Sequence, residues 1–301
     1  MPDLPPINKW PAQNAIGAVH IIHGMAEHPG RYADFAASLN AAGFTVWAHH
    51  QRGHGDNPLP GILGHFADHD GWRLLIDDAW AVSNQLKHET GLPLVMFAHS
   101  MGSFVGQGVI AEHGASYHGV IFTGTNGPPS SIEQQGHVVA QWQVQALGPG
   151  NPGLWLFHIV FDTFNAAFGL GAPPNTWLSR DKSEVKKYTD DCKCGFPLTS
   201  QAWLDLSDGR LTQASVEFFK KYPKDVPIHI LVGTADPVGE RGAGVRRLLD
   251  ILGRAGLTSV SSQLYPDARH ELIHETNRDD IIRDIVAWLV AKTRAAVLPK
   301  S

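Results

Sequence analysis

The sequence predicts an α/β fold: a mostly parallel central sheet with helices on both faces and an inserted helical segment. Three observations carry this expectation. Short, nearly all-apolar runs recur along the chain, as they do in strands buried on both faces. Stretches of helical period separate them. The alternation stops once, between Asn126 and Thr199. A chain of 301 residues that is 43% hydrophobic is long enough to bury such a core without disulfide or metal support.

Taken in order, Gly17–His23 reads as a first strand ended by Gly24. Arg31 to Ala42 carries Tyr32, Phe35, Ala36 and Leu39 at helix-face spacing, and Gly43 is its stop signal. Phe44–Ala48 is the next strand, followed by a loop, HHQRGHGDNPLPG. A helix opens at Asp70 or Gly71 and runs to about Thr90. Leu94–Ala98 is a short buried strand, and Met101 to about His113 is again helical. Val120–Thr123, Pro227–Val232 and Val260–Tyr265 are further strands, and Asp279 to about Ala296 is an amphipathic terminal helix. The segment that breaks the rhythm is rich in Trp, Phe, Gly and Pro, among them Trp142, Trp155, Phe161, Phe164 and Trp177. It reads as a helical cap over a pocket, dividing the chain into a core of residues 1–125 and 200–301 and a cap of residues 126–199.

Composition narrows the function. Charged residues make up 18% and the net charge is −5, with no Lys/Arg run, which argues against a nucleic-acid surface. The two cysteines, Cys192 and Cys194, form a CxC pair that fits neither a disulfide framework nor the paired CxxC of a zinc site; they suit a reducing compartment. The N-terminal MPDLPPINKWP lacks the features of a secretory signal, and no apolar run reaches membrane-spanning length, so a cytoplasmic location is expected. The longest apolar stretch, Leu154 to Leu170, is interrupted by His158, Asp162 and Asn165.

The strongest local signal is Ala98-His99-Ser100-Met101-Gly102, placed between a buried strand and a helix. A serine there stands on a tight strand-to-helix turn with its hydroxyl above the C-terminal sheet edge. A serine hydroxyl needs a base, and the base needs a carboxylate to orient it. In this chain order the acid precedes the histidine. Asp236, in Gly233-Thr-Ala-Asp236-Pro-Val238, follows a strand, and His270 follows the next one. Asp267 and Glu271 are rival acids but read as solvated loop residues. An oxyanion needs two preorganised donors. The Met101 N–H is one, and the Met25 N–H, after Gly24, is the other; Gly24 is expected to supply the freedom to turn that amide inward. His23 reads as a satisfied core histidine.

Together, the runs from His23 to Tyr32, Gln51 to Gly55, His99 to Gly102, Gly233 to Val238 and Arg269 to Glu271 resemble the monoacylglycerol lipase/lysophospholipase branch of the α/β-hydrolases, which is also grouped with serine aminopeptidase-type hydrolases. The resemblance spans about Ala18 to Leu289. It implies the α/β-hydrolase fold, a Ser100–Asp236–His270 triad, and a cap that shapes an acyl-chain tunnel and makes transient contact with membrane surfaces. Leu178–Asp181 and Cys194–Thr199 are similar to that branch's cap. Two departures stand out. His50 occupies a place where the branch commonly has Asp, so the loop there is expected to pack differently. Ala98 and Ser103 replace glycines around the elbow.

Seventeen histidines raise the question of a metal. His50/His54 and His65/His69 have i,i+4 spacing, and His270-Glu271-Leu272-Ile273-His274 matches HExxH. That string functions in mid-helix, whereas Pro266 and Asp267 lie just upstream here. No metal and no nucleotide cofactor are expected. The leading reading is a serine hydrolase acting on small-molecule or lipid esters of apolar acyl chains. A serine peptidase would want free acidic groups for a substrate ammonium, with Glu133 and Asp162 as the readiest. A non-catalytic ligand-binding module is the other alternative.

Overall fold

The computed structural model describes residues 4–57 and 61–297; residues 58–60 of the predicted loop and the first three residues lie outside that set. Seven strands form one sheet: β1 (Ile7–Trp10), β2 (Gly17–Ile22), β3 (Phe44–His49), β4 (Leu94–His99), β5 (Gly119–Thr123), β6 (Ile228–Gly233) and β7 (Val260–Tyr265). Their spatial order is β1-β3-β2-β4-β5-β6-β7. All neighbours are parallel except β1, which runs antiparallel to β3. The sequence reading missed β1, a four-residue edge strand with only partly buried side chains. Pairing with β3, rather than hydrophobic pattern, makes it a strand.

The helices are α1 (Ala33–Ala41), α2 (Gly71–Thr90), α3 (Met101–His113), α4 (Ser131–Leu147), α5 (Leu154–Ala166), α6 (Lys182–Asp190), α7 (Ser200–Thr212), α8 (Val216–Phe219), α9 (Ala243–Arg254) and α10 (Arg278–Val297). Strand residues alternate between two cores, as the two-residue period of a strand requires. Leu94, Met96 and Ala98 of β4 join α2, α3 and α9 on one face. Val95 and Phe97 join α1 and α10 on the other. α9 was not foreseen, although Val245, Leu248, Ile251 and Leu252 carry a helical spacing and are buried.

Between β5 and β6 the alternation gives way to α4–α8. α4 begins with a capping box, Ser130 with Glu133. α7 starts at Ser200, capped by the Thr199 side chain, and packs along α4. The strand order reverses between β2 and β4, so the C-terminal ends of these two strands flank a crevice. In open α/β sheets that is where ligands bind.

Candidate active site

β4 delivers Ser100 into the crevice on a sharp turn. Its backbone sits at φ 52, ψ −125, a conformation few non-glycine residues adopt. The Ser100 N–H bonds to Thr123 O at 2.9 Å, tying the turn to β5. Gly102 makes the turn possible: a Cβ there would lie 2.3 Å from the carbonyl oxygens of Ile22 and His23. Ala98 is fully buried, and the Ser103 hydroxyl donates to Ser100 O, so the two replaced glycines leave the turn intact.

The structure brings Ser100, His270 and Asp236 together. Ser100 Oγ lies 2.9 Å from His270 Nε2. His270 Nδ1 lies 3.0 Å from Asp236 Oδ1, which also accepts from the Val238 N–H. Asp236 and His270 are each 2% exposed. Burial pushes the His270 pKa down, but the Asp236 charge and hydrogen bond, helped by Glu271 and Glu27, outweigh it and hold the imidazole above its ordinary value. Asp267 stands apart, its N–H bonded to Thr234 Oγ1.

Glu271 corrects the sequence reading. It is buried, not solvated, and both its oxygens bond to Arg31, at 2.5 and 2.7 Å. Burial would raise its pKa; the Arg31 guanidinium reverses this and keeps the carboxylate ionised. Residues Leu272–His274 form a single 3-10 turn, and His274 Nδ1 faces Glu184 at 3.6 Å, so the HExxH letters do not share a helix face.

Met25 and Met101 line the same cavity as Ser100. Met101 is the first residue of α3, where a backbone N–H has no helical partner and the dipole favours negative charge. The expectation for Gly24 needs revision. The left-handed residue of this loop is Ala26, at φ 52, not Gly24. Gly24 is needed for space: a Cβ would come within 3.1 Å of Ser100 Cβ and 2.8 Å of Glu27 Oε1. Glu27 accepts from the Gly24 N–H and from Tyr32 OH, and its other oxygen accepts from Arg31 at 2.7 Å.

The neighbouring histidines are structural. His23 Nδ1 donates to Gly24 O and Nε2 accepts from Gln51 N, with burial keeping the ring neutral. His99 donates to or accepts from Thr123 Oγ1 at 2.8 Å, and burial followed by the nearby His270 lowers it to about 4. His50 is held in its loop on both ring nitrogens. It accepts from the Asp56 N–H at 2.8 Å and meets Asn8 Oδ1 at 3.1 Å, with Gly55 wrapped against its ring.

The cavity above Ser100 has a volume of about 690 Å³, within the range of small-molecule sites. Its wall comes from α4, α5, the stretch before α6, and α7, with Leu156, Ile159, Phe161, Phe164, Trp177 and Leu206 supplying apolar surface. The wall thus continues beyond Thr199. Among the described residues, every carboxylate lining it is engaged by an arginine: Glu27 and Glu271 by Arg31, Glu133 by Arg210, Glu240 by Arg247. Asp162 projects outward, its side chain 76% exposed. The sequence reading assigned nothing to Arg31 or Arg210. Arg31 had a signal in the Glu27-His-Pro-Gly-Arg31-Tyr32 run; Arg210, buried against Phe104, had none.

A family model described as "Serine aminopeptidase, S33" (Hydrolase_4) matches residues 13–277. The chain belongs to this family. Within it, the relatives are of the monoacylglycerol lipase-like branch of the α/β-hydrolases. A monoacylglycerol lipase of Mycolicibacterium smegmatis is 26% identical over 284 residues, covering 91% of this chain and 88% of that protein. The human monoglyceride lipase is 26% identical over 295 residues, covering 92% of this chain and 84% of that protein. Among solved structures, a highly thermostable carboxyl esterase from Bacillus coagulans, in complex with glycerol, superposes with a TM-score of 0.87 at 26% identity, covering 95% and 94% of the two chains. The family member described here therefore has the α/β-hydrolase fold.

Proposed function

We propose that this hydrolase cleaves carboxylic esters of apolar acyl chains, of the monoacylglycerol or lysophospholipid type, through an acyl-enzyme. The observation that carries the reading is the hydrogen-bonded Ser100–His270–Asp236 chain opening onto a largely apolar cavity. Ser100 Oγ attacks the ester carbonyl carbon while His270 Nε2 takes its proton. Asp236 holds the Nδ1–H tautomer and favours the imidazolium that forms. The Met25 and Met101 N–H groups receive the oxyanion. Collapse of the tetrahedral intermediate expels the alcohol, which takes the proton from His270. A water, deprotonated by the same ring, then releases the acid and restores Ser100.

The peptidase reading is weaker, because among the described residues no carboxylate lining the cavity is free of an arginine to receive a substrate ammonium. Residues 126–199 act as the cap in this proposal. Their outer surface leaves Val138, Trp142, Leu154, Trp155 and Leu170 exposed, which supports transient contact with a lipid surface. No helix among the described residues is long and apolar enough to cross a membrane.

The test is fluorophosphonate labelling with peptide mapping, alongside turnover of an ester series of rising acyl length. Labelling of Ser100, lost in Ser100→Ala together with turnover, is expected. Labelling elsewhere, or turnover in Ser100→Ala above about one part in a thousand of wild type, defeats the assignment. A protein that neither labels nor turns over any ester is the non-catalytic module instead.

A further inference from the structure

Arg31 does not line the cavity, yet it touches three residues that do, Glu27, Glu271 and Tyr188. One nitrogen, Nη1, donates to Glu27 Oε2 at 2.7 Å and to Glu271 Oε1 at 2.5 Å; Nη2 donates to Glu271 Oε2 at 2.7 Å. Glu27 in turn accepts from the Gly24 N–H, the amide preceding Met25, and Glu271 directly follows His270. The Arg31, Glu27 and Glu271 side chains are at most 8% exposed. Tyr188 packs its ring 4.8 Å from the guanidinium and donates its hydroxyl to Ala26 O.

We infer that Arg31 is a positioning residue: it joins the oxyanion loop to the loop of the general base, so that the amide donors and His270 keep a fixed spacing around Ser100. The inference rests on the serine-hydrolase reading above. The energetics favour a functional origin. A buried ion cluster is expensive to desolvate, and apolar side chains of similar volume usually pack at least as stably. The members of this cluster lead instead to the two loops whose separation governs the chemistry. The fork geometry is also specific. A guanidinium can bond one carboxylate with two nitrogens while reaching a second, whereas an ammonium is a single point charge.

The experiment compares Arg31→Met, Arg31→Lys and Glu271→Gln with wild type on one soluble ester, with thermal melts run in parallel. Affinity is measured for an alkyl boronic acid, which mimics the tetrahedral intermediate, and for a non-hydrolysable ether of the same chain. Displacing preorganised groups by about 1 Å costs about 10²-fold in rate. The expected result is therefore a kcat loss of that order in Arg31→Met and a smaller one in Arg31→Lys, with KM and ether affinity within about threefold of wild type. Boronate affinity should fall in step with kcat. Glu271→Gln, which keeps its place against Arg31, provides the reading if Arg31→Met does not fold; its kcat loss should not add to that of Arg31→Lys in the double variant. Folded variants with wild-type kcat overturn the inference, as does loss confined to KM and ether affinity. If Ser100→Ala abolishes turnover while the Arg31 variants are unimpaired, only this inference fails. If Ser100→Ala retains turnover, the underlying reading fails.

Discussion

Single residues in this site are governed by their electrostatic surroundings. His270 is buried, which alone would disfavour its charged form, and it is the Asp236 carboxylate that raises it. A general base works only when neutral, so kcat/KM should fall as pH drops through this raised pKa. The acid limb should therefore lie above the ordinary histidine value of about 6.5. In Asp236→Asn the raising partner is gone and burial remains. Turnover should drop by up to about 10⁴-fold, and the limb of the residual activity should move to lower pH. Asp267→Asn should change neither, since Asp267 is remote from the ring and its positive φ suits asparagine. A pH–rate profile of the three proteins decides this; an unmoved limb in Asp236→Asn would remove Asp236 from its assigned role.

At the scale of elements, function depends on how closely α3 approaches β2 and on what walls the cavity. Gly102 faces two backbone carbonyls that cannot step aside. Gly102→Ala should therefore destabilise the fold by about 1–3 kcal/mol and impair turnover of every ester alike, read by thermal melts and by kcat on short and long chains. A change in the wall should act differently. Ala167, just past α5, lines the cavity. Each buried methylene contributes about 0.8 kcal/mol, so kcat/KM should rise with acyl length until the space is full. Ala167→Trp should bring that ceiling to shorter chains while sparing an acetate ester. Equal loss of acetate and long-chain turnover would make the α4–α7 region mere support.

For the whole molecule, buried histidines link stability to pH. His20 and His49 bond to each other at 2.9 Å, with Ser83 and Tyr117 completing the network. Burial, the first cause in each case, holds His49 at about 3, His54 and His99 at about 4, and His20 and His23 well below the usual value. The unfolded chain binds these protons near pH 6.5 and the folded one does not. Their contribution is present above that value and lost as pH falls. His270 works in the opposite sense, because its folded pKa is raised; its contribution is present below about pH 6.5 and lost above the raised value. Urea titrations at pH 7, 6 and 5 should therefore show stability falling by more than one group can supply. A flat profile over that range would contradict the neutral state of these rings.

The sequence by itself determined strands β2 to β7 and the helices α1, α2, α3 and α10, the elbow motif at Ser100 and the chain order of Ser100, Asp236 and His270, because each of these is written in local periodicity or in a short motif. β4 is legible as a short apolar run buried on both faces, and α1 by the single face that carries Phe35, Ala36 and Leu39. Only the tertiary structure decided that β1 is a strand, that Ala26 rather than Gly24 takes the left-handed turn, and that Glu271 is clamped by Arg31. Those two residues are 240 positions apart. Periodicity reports which side of an element is buried; it says nothing about which partner from the other end of the chain meets a buried charge. Such pairings follow from the sheet order, which brings the ends of β2 and β7 to one side of the molecule with their loops, and α6 closes over them.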